Sequence, residues 1–237
     1  MRARVIAPLV AAVLGIGGGV ATALVMPGDD HGRPATSSDP LHLGIPLVDQ
    51  DCSGKSLLVI GYGETVAPLS SAIANSSEKA LRYLRSDASC ATTLGPVDKA
   101  APEYVVYSGP YDDRREPCEV RMSGAESGSF VTVLRSGNQQ LVKCPCEIPG
   151  SAAPRLFLGM DPDQSEALWI RGLQAMFNDD DPTTLPHTAI TGKYDQRTSD
   201  LVAGFQDHAP GKVTERGTVE EVTWGILTDR LCRNYDY

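Results

Sequence analysis

The chain has 237 residues, 41% hydrophobic, 22% charged and 6% aromatic, with a formal net charge of −9. That balance excludes a wholly disordered chain and a multi-span membrane protein, and leaves room for one large domain or two small ones. An acidic chain gains nothing from phosphate counterion release, so nucleic acid is not an expected partner.

The first element is apolar. After Arg2 and Arg4 the chain runs uncharged from residue 5 to residue 28, then meets Asp29 and Asp30. At about 1.5 Å per residue such a stretch crosses a hydrocarbon core of about 30 Å. Arginines before it and aspartates after it predict a single pass with the C-terminus outside. Residues 1–28 are therefore expected to be a transmembrane anchor. Ala21-Thr22-Ala23 has the small-residue form of a cleavage site, which leaves a secretory signal peptide as the alternative. Residues 29–50 are rich in Asp, Pro, Ser, His and Gly and read as a linker.

An exported chain with an even number of cysteines is expected to form disulfides. The six are Cys52, Cys90, Cys118, Cys144, Cys146 and Cys232, and spacing alone leaves their pairing open. Cys144-Pro145-Cys146 has neither C-x-x-C spacing nor nearby histidines, so redox and zinc chemistry are not expected there.

Residues 51–149 read as an α+β domain. Leu57-Leu58-Val59-Ile60 is a buried-strand pattern ending at glycine. Residues 66–85 read as one or two helices, with Pro68 suited to a first turn. Residues 91–94 are expected as a short strand and Tyr104-Val105-Val106-Tyr107 as a clearer one. Residues 112–122 follow as a helix, with Pro117 in its first turn or kinking it. Residues 130–134 form the last strong strand, and residues 141–144 are expected to pair with it across Ser136-Gly137-Asn138. The order is the ferredoxin-like β-α-β-β-α-β pattern. Within it, Tyr104-Val105-Val106-Tyr107-Ser108-Gly109-Pro110-Tyr111-Asp112-Asp113-Arg114 resembles the strand, G-P-[FY] and helix opening of a sporulation-related (SPOR) repeat, with a weaker echo at Val59-Ile60-Gly61-Tyr62-Gly63. That resemblance implies contact with peptidoglycan glycan strands.

A break at residues 149–154 precedes three amphipathic patterns, expected to form a three-helix bundle over 155–237. Asp163 with Glu166 predicts a capping box ahead of the stripe Trp169, Leu173, Met176 and Phe177. Asp195 caps the second pattern, which stops at residues 209–211. Thr218-x-x-Glu221 opens the third, whose stripe is Trp224, Leu227 and Leu231.

Three blocks in this region resemble the peptidoglycan-binding domain type 1 family. They are Ile170-x-x-Leu173-Gln174; Thr191-Gly192-Lys193-Tyr194-Asp195-x-x-Thr198-x-x-x-Val202-x-x-Phe205-Gln206; and Gly217-x-Val219-x-x-x-Thr223-Trp224-x-x-Leu227. The match covers about a third of the chain, with Thr191 where the family has aspartate and a longer acidic stretch over 178–189. It implies a peptidoglycan surface built from Gln174, Gly192, Tyr194, Asp195, Thr198, Gln206 and Thr223, on a core of Leu173, Val202, Phe205, Trp224 and Leu227. Gln174 and Gln206 are expected to bond loop backbone or a glycopeptide amide. Gly192 is expected at positive φ. Tyr194 is expected either to stack on a sugar or to sit half in the core. Residues 161–237 hold fourteen acidic and seven basic side chains, a net of −7. A zwitterionic glycopeptide suits that charge better than a polyphosphate.

His31, His42, His187 and His208 form no metal-ligand spacing, and no G-x-S-x-G occurs. No cofactor is expected. Glu64, Glu103 and Glu119 are the carboxylates from which a glycosidase pair would have to come. The leading expectation is a membrane-anchored envelope protein that binds peptidoglycan without catalysis, with other envelope proteins as further partners. The alternatives are a small wall hydrolase with a catalytic middle domain, or an interaction scaffold.

Overall fold

Alternation along one strand organises the sheet. In β1, Ser56–Gly63, Leu57 and Val59 enter a cluster with Leu84, Val105, Tyr107 and Leu134, while Leu58 between them enters another with Cys118, Met122 and Val131. Leu57 and Leu58 are fully buried, each burial contributing about 1.5–3 kcal/mol. A computed structural model describes residues 39–90, 103–136, 141–208, 213, 215–233 and 235. The expected anchor at 1–28, the short strand at 91–94, the turn residues 137–138 and the helix stop at 209–211 lie outside them. Among the described residues no helix is long and apolar enough to cross a membrane.

The described residues form an α+β fold with a four-stranded antiparallel sheet and six α-helices. β1 leads to α1, Val66–Asn75, then β2, Arg82–Arg85, and β3, Tyr104–Tyr111. After them come α2, Arg115–Met122, and β4, Phe130–Val133. The strand order is β2-β3-β1-β4. Pro117 sits in the first turn of α2, where its missing N–H costs nothing.

Three sequence expectations need correction. The helix expected over 66–85 stops at Asn75, and Arg82–Arg85 is a strand whose Tyr83 and Leu84 enter clusters on opposite sides of the sheet. Pairing with β3 from Arg82↔Tyr107 to Arg85↔Tyr104 overrides the helix propensity of that stretch. The linker reading fails for residues 39–50. Leu41, Leu43, Ile45 and Leu47 pack on the Tyr83 cluster, and Asp39 accepts bonds from Leu43 N and Gly44 N and from the Tyr83 hydroxyl. Residues 141–143 form no strand. Val142 donates one backbone bond to Val131, and the chain then enters α3, Cys144–Glu147.

The helical layer comprises α4, Gln164–Asp180, α5, Gln196–Asp207, and α6, Glu221–Leu231. The capping box forms as expected: Asp163 accepts from Glu166 N at 2.8 Å, and the Glu166 carboxylate accepts from Asp163 N at 3.0 Å. Trp169 and Trp224 meet edge to face with centroids 5.2 Å apart, and Phe177 meets Phe205 at 5.9 Å. These side chains share one apolar cluster with Leu58, Cys118, Met122 and Val131 of the sheet layer. The described residues form one compact unit.

All six cysteines are paired, as Cys52–Cys90, Cys118–Cys144 and Cys146–Cys232. The single-turn helix α3 carries two of these links. Cys144 joins it to α2, and Cys146 joins it to the residue that ends α6.

Candidate functional site

The residues singled out by the three blocks come together as two matching clasps. Gln174 projects from α4 and is fully buried. Its Oε1 accepts from Thr191 N at 2.9 Å and Gly192 N at 3.0 Å, and its Nε2 donates to Lys193 O and Thr198 Oγ1, both at 3.0 Å. All four hydrogen-bonding positions of the amide are thereby used. Gln206 repeats the arrangement from α5. Its Oε1 accepts from Gly217 N at 2.7 Å, and its Nε2 donates to Thr218 O at 2.8 Å and Thr223 Oγ1 at 3.1 Å.

The loops held by the two amides are related in sequence. Each has a glycine, an acidic helix cap three residues later, and a threonine three residues after that: Gly192, Asp195, Thr198 and Gly217, Glu220, Thr223. Gly192 has φ +75° and Gly217 φ +78°, in the left-handed region that glycine enters at little cost. That turn points the glycine N–H at the glutamine oxygen. In the first loop Asp195 accepts from both Thr198 N and Thr198 Oγ1. In the second the expected Thr218 to Glu221 capping box does not form. Thr218 is buried, Gln206 holds its carbonyl, and α6 starts at Glu221 without a side-chain cap.

Most of the residues assigned to ligand contact face inward. Gln174, Gly192, Tyr194, Thr198, Gln206 and Thr223 are buried, whereas Asp195 is exposed. Tyr194 is 4% exposed, so its ring lies in the core and offers no face to a sugar. Burial pushes its phenol well above the ordinary tyrosine range. Leu173, Val202, Trp224 and Leu227 are fully buried core, and Phe205 packs at the core edge. What the first loop offers outward is Thr191, Lys193, Asp195, Gln196 and Arg197. Beside it, Asp181 binds Thr183 N and the hydroxyls of Thr183 and Thr184, which lowers its carboxyl to about 2.

A separate cleft of 440 Å³ opens between α1 and the turn preceding β4. It is lined by one carboxylate, that of Glu126, which the sequence reading did not single out. Its partners Ser76 and Ser77 lie 50 and 49 residues away, so no local pattern marks it. Glu64, Glu103 and Glu119 are exposed and none lines this cleft; Glu119 pairs with Arg115 at 2.6 Å. Among the described residues no group of His, Cys, Asp and Glu is arranged to hold a metal ion.

No protein-family model matches the chain, and no curated protein or solved structure matches it.

Proposed function

We propose that this chain is an exported envelope protein, anchored by residues 1–28 with the rest outside the membrane, that holds peptidoglycan without cutting it. The observation that carries the reading is the pair of glutamine clasps. The residues of the three peptidoglycan-binding-like blocks act there on one another, Gln174 on Gly192 and Thr198, Gln206 on Gly217 and Thr223. Three disulfides support an oxidising, extracytoplasmic compartment. The sheet order β2-β3-β1-β4, with a helix after β1 and another after β3, supports a ferredoxin-like reading of the sheet layer and its SPOR-like resemblance.

In this proposal the clasps are scaffold and the exposed rim is the contact. Lys193, Asp195 and Arg197 present alternating charge over five residues, which suits a zwitterionic glycopeptide. The test is co-sedimentation of the full oxidised chain with purified sacculi. Binding is expected for the natural sequence, with clear weakening when Lys193 and Arg197 are both changed to glutamate. Absence of co-sedimentation at physiological salt overturns the proposal.

A further inference from the structure

Glu126 is 7% exposed and lies between α2 and β4. Its Oε1 accepts three bonds: from Ser77 N at 2.6 Å, Ser76 Oγ at 2.8 Å and Ser77 Oγ at 2.9 Å. Its Oε2 accepts none among the described residues, and no described cation forms an ion pair with it. Oε2 is not sealed from solvent, and the carboxylate lines the cleft. Ser76 and Ser77 thus hold one oxygen of this largely buried carboxylate, and the other faces the cleft, where a ligand donor can take the place of solvent.

We propose that this cleft binds a primary ammonium group carried on a short aliphatic chain, with Glu126 as its anionic seat. The lining supplies what such a ligand uses and little that others need. Ser71 and Asn75 offer polar atoms, while Ile60, Pro68 and Ala72 offer apolar surface for methylene groups. No lysine, arginine or histidine lines the cleft, so an anion has no partner there. No aromatic ring lines it, so a sugar has no stacking platform. Its volume of 440 Å³ falls within the range of about 300–1,000 Å³ common for small-ligand sites. The ammonium displaces water from Oε2 and forms a charge-assisted bond, the strong kind in a partly desolvated site. The same group occurs on lysine-type side chains within peptides and on free diamines. The site shares no residue with the Gln174 and Gln206 loops, so it stands or falls independently of wall binding.

The test titrates the full oxidised chain with Nα-acetyl-lysine methylamide and, separately, with cadaverine, following the amide resonances of Ser77 and Ser127 by NMR. Saturable shifts are expected for at least one of the two, and none for the norleucine analogue, which lacks the ammonium. Glu126→Gln keeps an oxygen for Ser76 and Ser77 but removes the charge, and is expected to weaken binding about tenfold or more. Ser71→Arg, at an exposed helix position, sets a competing cation on the rim and is expected to weaken binding similarly. If Glu126→Gln does not fold, Ser71→Arg decides alone. Tighter binding of the lysine derivative assigns the site to peptide side chains, and tighter binding of cadaverine assigns it to free diamines. No saturable shift with either amine, equal binding of the norleucine analogue, or unchanged affinity in the folded variants overturns the proposal.

Discussion

Tyr194 donates its hydroxyl to the carbonyl of Gly217 across 2.9 Å, so the first clasped loop is tied to the second. The same carbonyl also accepts from Ser199 Oγ at 3.2 Å. Tyr194→Phe therefore leaves that carbonyl bonded and is expected to cost about 0.5–1.5 kcal/mol. Urea unfolding of the oxidised chain measures this. If Tyr194 were a wall-contact residue rather than a tie, the change would lower sacculus binding with stability untouched.

The glutamines should cost more. Gln174→Ala removes four bonds and strands the Gly192 N–H in a buried place, so a loss of about 3 kcal/mol is expected. Gly192→Ala forces a side chain into φ +75° and places a Cβ 2.8 Å from Arg171 Nε, for a loss of about 2 kcal/mol. Because both act on one loop, the double variant is expected to lose less than the sum of the two. An additive double variant in the same unfolding experiment counts against the clasp.

The disulfides should rank by loop length. Cys146–Cys232 closes 86 residues and Cys118–Cys144 closes 26. Chain entropy then assigns about 4.6 and about 3.5 kcal/mol. Replacing the longer bridge by two alanines is expected to lower stability by about 1 kcal/mol more than replacing the shorter one. Paired denaturation curves measure the difference.

Asp181 provides a pH signature. Bonds from Thr183 and Thr184 lower its carboxyl to about 2 from an ordinary 3.8. A depressed folded value means its contribution is fully present above pH 3.8 and fades as pH falls toward about 2. A carboxyl carbon titration should place its midpoint near the lower value. Thr183→Ala with Thr184→Ala should return the midpoint toward the ordinary one.

What the sequence disclosed followed local patterns. Apolar runs marked β1, β3 and β4. Asp163 and Asp195 were legible as caps because each acts on the third residue beyond it. The four residues of β2 were not, since they contain good helix formers and become a strand only through pairing with β3. Thr218 resembles a cap in sequence, but Glu220 takes the N-cap position and α6 begins at Glu221. The cysteine pairing was open because each bond spans at least 26 residues, a distance over which spacing carries no information. The three blocks mark the glutamines as functional positions, yet both face inward, where their amides hold the loops of Gly192 and Gly217.

The placement of Cys144 and Cys146 on either side of one proline governs how the chain responds to proteolysis. A single cut within 53–89, 119–143 or 147–231 leaves both pieces joined by a bridge that spans the cut. A cut at Pro145 leaves no covalent link between them, because Cys144 pairs backward and Cys146 pairs forward. Fragments that part in denaturant without reducing agent would therefore report cleavage at that proline, between residues 90 and 118, or outside the cross-linked regions. Every other nick within 53–231 would remain hidden until the protein was reduced.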